Sequence, residues 1–285
     1  VSGLPDKKYY MILYDLRRSG SNNMQFNSLV GNTTIDATAS YAQRKSIDGG
    51  ADDTTGEVSL SKVSNTAFDT NLHNVFSVGY IANKSDKEKL FITHVVDSNV
   101  DTASNAPKRA EIVSKWSDIS NTIDIIRADT AAGGRAFGAD SEVVVLGWDP
   151  ADTHSSNFWE ELASVDVTTG ATISTGDFTA KKYMWVQFYL DASAISFDWK
   201  FNSSTGSEYA GRHQNNGLGV SGQNTDYTQT SKTVMAENFG LNSTPHFGNM
   251  FIVNNTLNEK LVMGSLVNQN TAGAGNIPNR SEFAY

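Results

Sequence analysis

The side chains able to do chemistry in this 285-residue chain are scattered. The five histidines are His73, His94, His154, His213 and His246. None belongs to an HExxH or i, i+4 pair that would seat zinc on one face of a helix. Glu160 and Glu161 are adjacent acids, but neighbours on a strand point to opposite faces and do not confront each other across a glycosidic bond. Asp97 and Asp101 are the other spaced acids considered for that role. No G-x-S-x-G marks a nucleophile elbow. The absence of cysteine excludes disulfides and thiol chemistry. These residues do not point to an enzyme.

Five residues are the better candidates for binding: Arg44, Asp48, Arg212, His213 and Asn216. Arg44 follows Tyr41-Ala42-Gln43, and Arg212 follows Tyr209-Ala210-Gly211. A planar guanidinium in a repeated setting suits a fixed partner. That partner is a carboxylate or carbonyl of the fold, or else a glycan or another subunit. His213 sits at the base of the polar loop that Asn216 continues. Asp48, Asp52 and Asp53 offer carboxylates around two glycines, as a hard cation such as calcium prefers, though without the EF-hand spacing. The matching stretch Asn216-Gly217-Leu218-Gly219 has no carboxylate, so a calcium site would belong to one half of the chain. No other cofactor is expected. Arg109 and Arg280, each followed two residues later by Glu111 or Glu282, read as surface pairs on strands. Trp116, Trp148, Trp159, Trp185 and Trp199 read mostly as core, and an exposed one would be the carbohydrate clue.

The elements that position these residues are strands. Val, Ile, Tyr, Phe and Trp are well represented, Gly, Asn, Ser and Thr supply turns, and no sustained 3.6-residue period exists. The net charge of −9, without a basic run, argues against a nucleic-acid partner. No apolar run approaches the roughly 20 residues of a membrane-spanning helix. Residues 7–16 are apolar nearly throughout, as in a strand covered on both faces. Residues 75–81 and 90–96 read as a hairpin, and 109–116 alternates. Residues 123–127 and 142–148 flank a glycine-rich loop and read as a closing pair. Residues 158–163 (FWEELA) read as a strand entering the second half, with a short helix as the alternative.

The two halves share a grammar. Lys7-Lys8-Tyr9, Phe26-Asn27-Ser28 and Tyr41-Ala42-Gln43-Arg44 recur as Lys181-Lys182-Tyr183, Phe201-Asn202-Ser203 and Tyr209-Ala210-Gly211-Arg212. Residues 88–114 match 259–285 without a gap at about 10 of 27 positions. The expected fold is all-β: two tandem antiparallel β-sandwich domains, jelly-roll-like, related by internal duplication. The modules are 1–152, lacking its opening strand, and 153–285, lacking its closing strands. Either the chain is part of a longer array, or neighbouring chains supply the strands by β-strand addition.

The stretch FNSSTGSEYAGR (residues 201–212), after an aromatic strand, resembles a β-sandwich module repeated in virion surface and tail-fibre-like proteins of marine tailed phages and archaeal viruses. SEVVVLGWDP (141–150) and FWEELASVD (158–166) resemble the links between such modules. Phe26-Asn27-Ser28-Leu29 departs from the pattern, lacking the Thr205-Gly206 turn. The resemblance implies an extracellular or virion-surface location and oligomeric assembly. The partners it implies are other copies of the chain or other virion or filament subunits, with a host glycan as a further one. A carbohydrate-binding module and a cellular filament or surface-layer subunit are the alternatives.

Overall fold

Runs of β-branched and aromatic residues punctuated by Gly, Asn and Asp give strands throughout the described part of the computed structural model. The described residues are 1–17, 19, 26–58, 74–98, 105–130, 136–153, 158–170, 172–190, 199–204, 206–215, 224–227, 246–268 and 279–285. The first ten strands are β1 (Tyr9–Arg17), β2 (Phe26–Asn32), β3 (Thr34–Ile35), β4 (Tyr41–Ile47), β5 (Asp53–Val58), β6 (Asn74–Ala82), β7 (Lys89–Asp97), β8 (Lys108–Trp116), β9 (Ile125–Thr130) and β10 (Glu142–Trp148). The other six are β11 (Tyr183–Leu190), β12 (Gly211–Asn215), β13 (Asn224–Tyr227), β14 (His246–Val253), β15 (Leu261–Asn268) and β16 (Asn279–Ala284). The fold is all-β and sandwich-like, and its ladders are antiparallel.

Three sheets form. The large one has the order β10-β1-β6-β7-β8-β4-β5. A small one, β3-β2-β9, covers one of its faces, and a six-stranded one, β11-β14-β15-β16-β12-β13, covers part of the other. Strand β1 shows why the large sheet lies in the middle. Tyr10, Ile12, Tyr14 and Leu16 point into the core shared with Phe26, Val30 and Ile126 of the small sheet. Met11 and Leu13, on the alternate face, pack in a second core with Phe251, Val253, Leu261 and Met263 of the six-stranded sheet. A third core lies on the far face of that sheet, where Met250, Ile252 and Phe283 meet Trp199, Phe201 and Tyr209.

The six-stranded order repeats the large sheet's order from β1 to β5, strand for strand. The registers repeat too. Met11 pairs with Tyr80, Tyr80 with Ile92 and Ile92 with Val113, as Trp185 pairs with Phe251, Phe251 with Met263 and Met263 with Ala284. Arg44 stands opposite Val113 as Arg212 stands opposite Ala284. The shared Phe-Asn-Ser and Tyr-Ala signatures have a physical role. The Tyr41 hydroxyl accepts from Val30 N at 3.1 Å and donates to Val30 O at 2.9 Å, and the Tyr209 hydroxyl makes a similar pair of hydrogen bonds, to N and O of Phe201. Tyr41 thereby ties β4 to β2, and Tyr209 ties the chain entering β12 to Phe201.

Three sequence expectations change. The pair 123–127 and 142–148 separates: β9 joins β2 in the small sheet, while β10 closes the large sheet beside β1. At Gly147 a Cβ would lie 3.0 Å from the Tyr10 ring, a close approach that glycine accommodates without displacing the ring. Residues 158–163 form no strand or helix. They are largely exposed, and their anchor is Trp159, which packs into the second core. Arg109 is buried, not a surface residue, because the six-stranded sheet covers it.

Candidate interaction surface

Four of the five sequence candidates lie in the described residues, and Asn216 lies outside them. Asp48 follows β4 in a turn where its own φ is 51° and that of Gly49 is 74°. One Asp48 oxygen accepts from Arg109 N at 2.9 Å, and the other pairs with the Arg212 guanidinium on β12. Arg109 on β8 donates from Nη2 to Gln214 Oε1 at 2.8 Å and also pairs with Glu111. Gln214 Nε2 in turn donates to Gly49 O at 3.1 Å. The positive φ demands glycine at 49, and a Cβ there, 2.5 Å from that nitrogen, would push the Gln214 amide away. Asp48 and Arg212 thus meet across the seam between the two large sheets, where they act as a clasp.

Arg44, at the position equivalent to Arg212, instead faces solvent and pairs with Asp52 at 3.0 Å. Lys45 pairs with Asp53 at 2.9 Å. Each acid considered for calcium is therefore held by a different cationic side chain. Among the described residues no group of three His, Cys, Asp or Glu side chains could hold a metal.

His213 is buried on β12. Burial, and then the charge of Arg109, push its imidazole down to about 4. A histidine with a depressed folded pKa stabilises the fold fully above its unfolded pKa of about 6.5 and loses that contribution as pH falls through 4. The thermal midpoint is expected to drop over this window, corresponding to roughly 3 kcal/mol at 1.36 kcal/mol per pKa unit. His213→Asn should flatten that slope; an unchanged slope in differential scanning calorimetry would contradict the assignment.

A larger feature was not visible in sequence. The two large sheets overlap only in part, which leaves one end of each facing surface bare. On the large sheet Tyr80, Leu90, Ile92 and Val113 are 37–56% exposed. Their register equivalents on the six-stranded sheet, Phe251, Leu261, Met263 and Ala284, are at most 7% exposed, because they sit in the seam. On the six-stranded sheet Trp185, Tyr189, Phe247 and Val267 are 39–65% exposed. Their equivalents Met11, Asp15, Phe76 and Val96 are at most 7% exposed. On the large sheet Tyr80, Ile92 and Val113 lie side by side on β6, β7 and β8, whereas on the six-stranded sheet the polar row Gln187, Asn249, Ser265 and Glu282 separates Trp185 from Tyr189, Phe247 and Val267.

Two further features border the bare end of the six-stranded sheet. Trp185 stacks on Phe251 at 5.8 Å, lies 5.9 Å from Trp159 and donates its indole N–H to Asn249. Among the described residues β11 pairs with β14 alone, whereas its counterpart β1 carries β10 on its other side. The outer edge of β11 offers unpaired backbone groups in the place β10 occupies on the large sheet. The pattern Tyr80…Leu90-x-Ile92 repeats Phe251…Leu261-x-Met263 and so spells one apolar face twice, without telling which copy is left bare. No family model, curated protein or solved structure matches this chain.

Proposed function

We propose that the chain is a structural subunit that works by assembly, in an extracellular or virion-surface, tail-fibre-like setting, built from two copies of a duplicated unit. The observation that carries the reading is the pair of bare sheet ends, which together expose eight large apolar side chains. Clusters of large exposed apolar side chains mark interaction sites. Covering eight half-exposed side chains is worth roughly 6–12 kcal/mol at about 1.5–3 kcal/mol for each one fully buried. Association costs on the order of 4–15 kcal/mol. The balance favours assembly that depends on concentration over a constitutive complex. Mass photometry and sedimentation are expected to show particle size rising with protein concentration through the micromolar range. A single species of 30.9 kDa at every concentration would refute the proposal.

A second reading is glycan adhesion, favoured by the exposed Trp185 ring held flat by Phe251 and flanked by Asn249. A glycan array is the test. Binding that disappears in Trp185→Ala supports it, and an array silent for the unmodified protein removes it.

A further inference from the structure

We propose that successive copies of this chain join head to tail by repeating, between chains, the contact that already holds the two large sheets of one chain together. The bare end of the six-stranded sheet in one copy covers the bare end of the large sheet in the next. This rests on the assembly reading above and names its partner, a second copy of the same chain.

The argument is one of equivalence. Inside one chain the large sheet contributes Leu13, Phe76, Val78 and Val96 to the seam, and the six-stranded sheet contributes Phe251, Val253, Leu261 and Met263. By register these are opposite ends of one surface. Phe76 corresponds to Phe247 and Val96 to Val267, both bare, while Phe251 corresponds to Tyr80 and Met263 to Ile92, also bare. Each sheet therefore uses a different end, so the contact is heterologous. A heterologous contact leaves one unused end of each kind, and these continue it into a ring or a filament. An isologous contact would have used the same end of both sheets, and the seam does not.

The chemistry of the unused ends matches at their margins and differs in the middle, where Gln187 and Asn249 stand at the register positions of Leu13 and Val78. Phe247 and Val267 keep the residue types of Phe76 and Val96. Tyr80, Leu90, Ile92 and Val113 present an apolar floor like that of Phe251, Leu261, Met263 and Ala284. The stack of Phe76 on Tyr183, with ring centroids 6.1 Å apart, has its equivalent in Phe247 of one copy on Tyr9 of the next. The ionic part differs. Lys182 pairs with Asp15 at 3.0 Å within the chain. At the contact between copies Lys8 takes the lysine position and Tyr189 the aspartate position. An ammonium group over an aromatic ring replaces an ion pair there, so the contact between copies is expected to respond weakly to salt.

Four single variants test this, all at exposed positions: Ile92→Asp and Val113→Asp on one end, Phe247→Asp and Val267→Asp on the other. A second substitution at each end guards against a purely local disturbance, and circular dichroism melts confirm folding. At concentrations where the unmodified protein assembles, each variant alone is expected to sediment as a single chain. An equimolar mixture of Ile92→Asp with Phe247→Asp is expected to give a complex of two chains and nothing larger, since one intact end of each kind remains. Loss of assembly from one end's variants only, with the other end's retaining two-chain complexes, would show an isologous contact and overturn the proposal. Assembly that survives all four variants would also overturn it while leaving the assembly reading standing, with the open edge of β11 as the route. An unmodified protein that never assembles would overturn both.

Discussion

Phe76→Ala is expected to lower the unfolding free energy by about 3–5 kcal/mol, the range for truncating a buried aromatic. Phe247→Ala, the same change at the same register position in the other sheet, is expected to cost less than about 1 kcal/mol, as surface substitutions do. Phe76 lies in the seam core and stacks on Tyr183, so alanine leaves a cavity between two sheets. Phe247 is exposed, and alanine leaves only water. Urea unfolding of dilute protein, below the concentration of assembly, reads the difference as a shift in midpoint at constant slope. Equal losses in the two variants would mean that the sheets do not overlap as described.

Lys182→Met is expected to cost about 2–3 kcal/mol. Lys182 Nζ lies 3.0 Å from Asp15 and 2.8 Å from Glu142, and Tyr183 donates to the same Glu142 at 2.7 Å. Asp15 is buried and also accepts from Asn255 at 3.3 Å, so these side chains fasten β1 and β10 to the start of β11 and the β14–β15 turn. Removing one partner of a buried pair usually costs 3–5 kcal/mol, because a charge is left buried alone. The loss here is smaller because Lys182 is partly exposed and Asn255 stays. Adding Asp15→Asn should recover part of it, since the orphaned charge goes too, and the double-mutant cycle measures the coupling. Additive losses would contradict a direct pairing.

Much of the fold was legible because it depends on local chemistry. The all-β class follows from composition and period. The continuous apolar run of residues 7–16 announced that β1 is covered on both faces, and it is. The hairpin of β6 and β7 followed from two apolar runs around a polar turn. What covers each face was not legible. Leu90-x-Ile92 and Leu261-x-Met263 have the same alternation, yet the first pair is bare and the second buried. The difference lies in which sheet arrives from the other half, and residue spacing along one strand does not encode that. Arg109 and Glu111 had the spacing of a surface pair, and the burial of Arg109 is set by Gln214, 105 residues away. Asp48 and Arg212 were picked out separately, one as a loop acid and one as a repeated arginine. That they pair follows only from the stacking of the two sheets.

Proximity labelling of the two bare ends tests the central claim most directly. The chain has no cysteine, so Lys8→Cys with Tyr189→Cys provides the only two thiols. These positions are the register equivalents of Lys182 and Asp15, which touch within one chain through long side chains. A direct disulfide needs closer backbones, so a short bismaleimide is the better link. The head-to-tail contact predicts a ladder of two, three, four and more linked chains from the double variant. It also predicts no ladder from either single variant, and linked pairs only when the two single variants are mixed. Unlinked chains from the double variant under assembling conditions, or linked pairs from one single variant alone, would contradict it.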